Sequence, residues 1–258
     1  LHQTILLLII AINLNLMSKK VLTKKIGTGN YFEDNVFIAE DVIIGNNNKF
    51  LNGTIIHNGV SIGNNNLFSN YAIIGSLGEM GLKGDIIPAN GKVEIGNNNR
   101  VREFVVISFP AKTSLTKVGN DNYFMARSHI PHDCIIGNKV VMAANSVLGG
   151  MTHIEDYVFV GLGSTTHHGK KLGEGCMVAM QSANIKSVPP YMTVAGVPSK
   201  IKKINRTGAE RRGFDKVMLD EVENNLKEIL DLKYLNSNNY IITKIQNFIQ
   251  NNDCIIDF

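Results

Sequence analysis

The sequence predicts a mainly β chain wound as a parallel solenoid and closed by a short helical tail. Three observations carry this: a large apolar residue every six positions, a second column of small, β-branched or Asn residues four positions after each anchor, and a change to helical spacing beyond residue 215.

The anchors run Ile26, Phe32, Ile38, Ile44, Phe50, Ile56, Ile62, Phe68 and Ile74. They resume at Ile95, Val101 and Ile107, and again at Val118, Phe124, Ile130, Ile136, Met142, Leu148, Ile154, Val160, Thr166, Leu172 and Val178. Thr166 alone breaks the last run. The second column includes Val42, Asn48, Thr54, Val60, Asn66, Ala72, Asn122, Ser128, Cys134, Val140, Ser146, Thr152, Val158 and Ser164, and Gly often follows the anchor, as at Gly45, Gly63 and Gly96. An α-helix cannot hold one face on a strict period of six, because 3.6 residues per turn does not divide it. A two- or three-residue strand followed by a corner does fit, and three such units make a triangular coil of 18 residues with the anchors inside. Asn48, Asn66, Asn99 and Asn122 are placed to form side-chain amide ladders between coils, and Asn and Gly at the corners tolerate left-handed backbone angles.

The register slips over 76–94, which carries Gly78, Gly81, Gly84, Pro88 and Gly91, and over 108–117, which carries Pro110. Both read as inserted loops, either functional or incidental. The solenoid is expected to end near Val188–Pro190. Asp215 then reads as an N-cap, Val217, Met218, Val222, Leu226, Ile229 and Leu230 recur at helical spacing, and Tyr240, Ile241, Ile245, Phe248 and Ile249 form a second amphipathic stretch. The expected organisation is therefore an extension over 1–16 outside the fold, a solenoid domain over 17–200 and a helical tail over 201–258, which covers the end of the solenoid or a neighbouring subunit.

Residues 4–16 are apolar but too short to span a bilayer, and they lack a basic leader and a small-residue cleavage site. A translated extension or an expression remnant is the expectation, with a truncated signal sequence as the alternative. Of 258 residues, 44% are hydrophobic and 19% charged, with a net charge of +4 and no basic stripe of the kind nucleic-acid binding requires. The mild positive charge suits an acidic partner or a phosphorylated substrate as well as a plain solvated surface. Cys134, Cys176 and Cys254 are odd in number and far apart, which reads as free thiols in a reducing, cytoplasmic compartment.

The segment Ser128-His129-Ile130-Pro131-His132-Asp133 concentrates the chemistry. His132, Gly150 and His168 are 18 apart, so they stack on successive coils. At about 4.8 Å per coil the two imidazoles are expected roughly 9.6 Å apart, with Gly150 between them. An imidazole is a natural base near neutral pH, and a glycine N–H can face an oxyanion.

The six-residue pattern over 26–188 resembles that of hexapeptide-repeat proteins. The His132-Asp133 segment, together with Asn97–Glu103, Leu115–Asp121, Val188–Tyr191 and Arg211-Arg212-Gly213-Phe214 in the same order, resembles the UDP-N-acetylglucosamine acyltransferase of lipid A biosynthesis over roughly 26–235. The resemblance implies a left-handed parallel β-helix, a homotrimer with active sites between solenoids, and a nucleotide-sugar substrate. The acyl donor it implies is an acyl carrier protein, with coenzyme A as the alternative and no other cofactor. It implies His132 as general base, Asp133 orienting it, Gly150 as oxyanion donor, His129 touching substrate and His168 near the acyl donor. It further implies Asn205, Arg211 and Arg212 at the nucleotide and its phosphates, and Met180 as a limit on acyl length. Lys83 is a candidate contact for an acidic carrier.

Each role has a plain alternative. Asp133 and Gly150 can be turn residues, and His129 a structural hydrogen-bonding group. Arg211 and Arg212 can form a solvated helix start, Met180 can pack in the core, and Lys83 can be a free surface lysine. Direct contact between His132 and Asp133 needs a local bend, because adjacent strand residues point to opposite faces. Met151, Ser108 and Thr207 depart from the family pattern near the acceptor, where Glu79 and Asp85 are candidate substitutes for sugar-binding residues. The leading expectation is O-acyl transfer to UDP-N-acetylglucosamine. The alternatives are N-acyl transfer to an amino sugar nucleotide and a non-catalytic trimeric scaffold. Metal catalysis, which some left-handed β-helices perform with zinc, is not expected, because two imidazoles 9.6 Å apart cannot share an ion. Neither nucleic-acid binding nor stable membrane insertion is expected.

Overall fold

The computed structural model describes residues 20–79, 90–234 and 237–257. Short strands, mostly of two residues, stack in register into three parallel sheets, so the chain is a triangular prism of β-coils followed by helices. The first face runs from Lys20–Val21 through His129–Ile130 to Ala183–Asn184, the second from Lys25–Ile26 through Ile135–Ile136 to Lys171–Leu172, and the third from Tyr31–Phe32 through Val141–Met142 to Lys200–Ile204. This is the solenoid class the period of six predicts.

The anchors point inward. Phe32, Phe50 and Phe68 stack with ring centroids 5.0 Å apart at each step, and Ile38, Ile56, Ile74, Ile107 and Ile130 are fully buried. Each such side chain contributes about 1.5–3 kcal/mol through burial. Thr166 keeps the inward position, where its hydroxyl accepts a 3.2 Å hydrogen bond from Asn184 Nδ2.

The Asn ladder forms as expected. Asn48, Asn66 and Asn99 each donate from Nδ2 to Oδ1 of the Asn one coil below, at 3.0–3.1 Å, while Asn122 receives its ladder contact through its own amide N–H. Partners are 18 residues apart, except 33 across the first insertion and 23 across the second, so both insertions leave the coil register intact. A second ladder, not foreseen, runs Asn64–Asn97–Asn120–Asn138–Asp156. It accounts for the glycines after the second-face anchors, Gly45, Gly63, Gly96, Gly119 and Gly137: a Cβ on Gly45 would lie 2.5 Å from Asn64 Oδ1. Corners take left-handed angles at Asn47, Asn65 and Asn98, and also at bulkier residues such as Tyr71, Phe104 and Tyr157, where the conformation costs about 1–2 kcal/mol.

The insertions are shorter than the sequence suggests, because strands Ile73–Ser76, Lys92–Ile95, Val106–Ser108 and Leu115–Val118 extend into them. Pairing also carries the solenoid past residue 200: Lys200–Ile204 runs antiparallel to Met192–Ala195. Among the described residues four helices follow, α1 (Arg206–Glu210), α2 (Lys216–Asn224), α3 (Leu226–Leu230) and α4 (Tyr240–Gln250). Asp215 caps α2 by accepting from Met218 N at 2.8 Å. Val217, expected in the apolar stripe, is 80% exposed, and Leu219 is buried instead. The break at Asn225 divides the expected continuous helix. Leu219, Val222, Ile229, Ile241 and Ile245 join one core with Leu172, Tyr191 and Ile204 of the last coils. Beyond α4 the chain returns to the solenoid, where Ser187 N donates to Asp253 O and Ile255 N to Ser187 O. The tail thus caps the solenoid of its own chain. No helix among the described residues is long and apolar enough to cross a membrane.

Candidate active site

His132 lies at the corner between the first face, which holds His129–Ile130, and the second, which holds Ile135–Ile136. Its Nδ1 is 2.7 Å from Asp133 Oδ2. The local bend that such a contact needs is present: Asp133 adopts φ +61°, which turns both side chains to one side of the wall.

The second insertion wraps the carboxylate. Ala111 N and Lys112 N donate to Asp133 Oδ2 at 3.2 and 2.9 Å, and Thr113 N and Oγ1 donate to Oδ1 at 2.7 and 2.5 Å. Asp133 N itself donates to Thr116 Oγ1. Burial alone would raise the carboxyl's pKa, but the hydrogen bonds from Thr113, His132 and the loop amides outweigh it and bring it down to about 2. The group is therefore a carboxylate that accepts from Nδ1 of His132, so in the neutral imidazole the lone pair is on Nε2. Nothing in the sequence marks Ala111, Lys112 or Thr113, since all three donate backbone amides and only Thr113 adds a side chain.

Nε2 lies over Gly150. A Cβ at that position would sit 2.4 Å from Nε2 and 2.5 Å from Cε1 of His132, so glycine is needed for clearance. Gly150 lies in a turn but is not among the positive-φ glycines, so the turn's backbone angles do not by themselves require glycine there. Its N–H donates to nothing among the described residues. His168 completes the column with its ring centroid 6.2 Å from that of His132, closer than the coil spacing implies because the side chains lean together. The distance argument against a shared metal ion therefore does not hold; among the described residues no third ligand-bearing side chain joins the pair. Burial, Lys112 and the neighbouring imidazoles hold His168 below the ordinary imidazole range.

His129 points outward from its strand, with Nε2 3.4 Å from Ser108 Oγ, and burial keeps its pKa low despite the pull of Glu79. Cys134 is buried behind the corner, and burial pushes its thiol up to about 12, so it is no nucleophile. All three cysteines are free.

The other predicted residues lie elsewhere. A groove of ≈ 730 Å³ opens on the third face, lined by Lys139, Tyr157, Lys203, Asn205, Thr207 and Arg211 among others. Asn205 caps α1, accepting from Gly208 N, and donates from Nδ2 to Gly175 O at 2.9 Å. Arg211 is exposed at the rim. Arg212, expected at a phosphate, is turned inward. Its fork pairs with Glu174 and Tyr191 OH and stacks on Tyr157, with 4.1 Å from the guanidinium carbon to the ring centroid. Glu174 also takes Lys244 at 2.9 Å and the hydroxyl of Tyr191 at 2.9 Å. Arg212 therefore ties the helical tail to the solenoid, and its charge is spent internally. Met180 is 67% exposed, which rules out the core-packing alternative. Lys83 and Asp85 lie outside the described residues, as does the extension over 1–16. Base and groove thus occupy different edges of the prism in a single chain.

A parallel prism of six-residue units with a carboxylate-backed imidazole on its wall invites comparison with hexapeptide-repeat transferases. The family described as "Bacterial transferase hexapeptide (six repeats)" matches residues 115–150, and "Udp N-acetylglucosamine O-acyltransferase; Domain 2" matches 188–253. An acyl-[acyl-carrier-protein]–UDP-N-acetylglucosamine O-acyltransferase of Janthinobacterium sp. (strain Marseille) is 36% identical over 137 residues, 52% of each chain. The chain thus spans about half the length of the curated relatives it matches. Among solved structures, the UDP-N-acetylglucosamine acyltransferase from Campylobacter jejuni superposes with TM-score 0.82 at 28% identity, covering 92% of this chain and 97% of that one. LpxA from Acinetobacter baumannii gives 0.81 at 26% over the same shares. In fold over most of its length, and in sequence over about half of it, the chain is similar to UDP-N-acetylglucosamine acyltransferases of the hexapeptide-repeat class.

Proposed function

We propose that this chain moves an acyl group from the thioester of an acyl carrier protein to the 3-hydroxyl of UDP-N-acetylglucosamine, a step of lipid A biosynthesis. The observation that carries the reading is His132: its Nδ1 is fixed on an ionised Asp133 and its Nε2 lies against Gly150. Nε2 takes the proton of the acceptor hydroxyl as the oxygen attacks the thioester carbonyl. The Gly150 N–H meets the developing oxyanion. Collapse breaks the carbon–sulfur bond, and the imidazolium returns its proton to the leaving thiolate. His129 and His168 flank the reacting groups, and Arg211 with Asn205 holds the nucleotide end. Exposed Met180 limits the acyl chain, and Lys83 meets the acidic carrier.

This assignment needs more than one chain, because base and groove lie on different edges. The outward column of the first face supports a homotrimer: Phe37, Ile55, Ile73, Val106, His129 and Val147 are register partners, and all but His129 are apolar. Packing that wall against a neighbour's third face buries the column and brings His129 and His132 to the neighbour's groove. The three free thiols support a cytoplasmic location.

Thiol release with acyl carrier protein and UDP-N-acetylglucosamine tests the reading. Turnover that His132→Ala abolishes is expected. Absence of turnover, or turnover only with an amino sugar nucleotide, overturns it.

A further inference from the structure

The imidazole is held by Asp133, and Asp133 is in turn held by a loop that the repeat does not require. Apart from His132, the side chain that reaches its carboxylate is Thr113, whose hydroxyl lies 2.5 Å from Oδ1 while the Thr113 amide lies 2.7 Å from the same atom. Two donors from one residue on Oδ1 fix the rotation of the carboxylate plane. That leaves Oδ2 for Nδ1 of His132, with Ala111 and Lys112 amides closing its other side. Thr113 also accepts from Leu115 N at 3.3 Å, which ties the hydroxyl to the first residue of the following strand.

We propose that Thr113 is a positioning residue for acyl transfer, acting through Asp133 to hold the ring of His132 with Nε2 over Gly150. The proposal rests on the catalytic reading of His132. A carboxylate free to rotate would spread the imidazole over several orientations, and a base must be within hydrogen-bond reach of the proton it takes. A purely structural loop would show its effect in stability or in substrate binding. A positioning residue shows it in kcat with KM unchanged, beyond any loss of stability.

The test compares Thr113→Val, which keeps the shape and removes the donor, with Thr113→Ser, which restores the donor, in the full chain. Thr113→Ala serves in place of Val if Val fails to fold. Loss of one hydrogen bond to a charged group is expected to lower kcat about tenfold. KM for both substrates should stay unchanged while the melting temperature falls modestly with the lost hydrogen bond, and Ser should remain within about twofold of the parent. The proton on His132 Nδ1, followed by NMR and assigned through its loss in His132→Ala, gives a readout independent of turnover. It should be displaced in Val and retained in Ser. An inactive parent with a displaced Nδ1 proton in Val would sink the transferase reading while leaving the positioning intact. Parent-like kcat in Val, equal loss in Ser, or an Nδ1 proton unmoved by Val would overturn the proposal.

Discussion

Asp133 is the chain neighbour of His132, yet its Oδ2 lies 2.7 Å from Nδ1 of that imidazole, because a left-handed φ of +61° at Asp133 turns both side chains to the same side of the wall. The pairing fixes which ring nitrogen is left for chemistry. His132→Ala should lower kcat at least about 10²-fold, and Asp133→Asn about 10- to 100-fold, with smaller changes in KM. Steady-state thiol release checks both. Equal activity in Asp133→Asn would mean the ring is oriented by something else.

The carboxylate also links acidity to stability. The Asp133 carboxyl is lowered from its ordinary 3.8 to about 2 in the fold. Its ionised form is favoured by folding, so its contribution is complete above about pH 4 and is lost as pH falls from 4 towards 2. The gap corresponds to roughly 2 kcal/mol. Denaturant unfolding followed from neutral pH down to acid should show Asp133→Asn starting less stable and falling less steeply than the parent. Parallel curves would contradict the assignment.

Gly150→Ala places a Cβ where His132 Nε2 now lies, 2.4 Å away. The ring must move, so kcat should fall about tenfold or more, while overpacking costs about 1–3 kcal/mol. Melting curves and kinetics on the same sample check this. A parent-like kcat would show that the ring does not use that position.

Arg211 and Arg212 are adjacent but should respond oppositely. Arg212 pairs with buried Glu174, so Arg212→Met should destabilise by about 3–5 kcal/mol. Arg211 is exposed at the groove rim, so Arg211→Met should leave the melting temperature unchanged and raise KM for the nucleotide sugar about tenfold. Thermal melts and kinetics on both variants separate the two.

The winding was legible because it is periodic. Ile26 to Val178 sets the coil, and Asn48, Asn66, Asn99 and Asn122 announce the ladder. His132, Gly150 and His168 were legible as a column for the same reason. What escaped lies where the period fails. Ala111–Thr113 sits in an insertion and acts largely through backbone amides that any residue supplies. Arg212 finds Glu174 across 38 residues of chain with no spacing rule to connect them. The imidazoles stand closer than their coils because side chains lean, which a backbone repeat does not encode. Val217 falls outside the stripe because the buried face of its own helix is set by Leu219 and Val222, about one turn apart.

The most direct test of the account uses its division of labour between protomers. His132→Ala removes the base and Arg211→Glu spoils the groove, so each variant alone should be inactive. If base and groove of one site come from neighbouring chains, random mixing of the two variants in equal amounts should restore about a quarter of parent activity, because one site in four combines an intact base with an intact groove. Mixed trimers with no activity above either variant alone would contradict it.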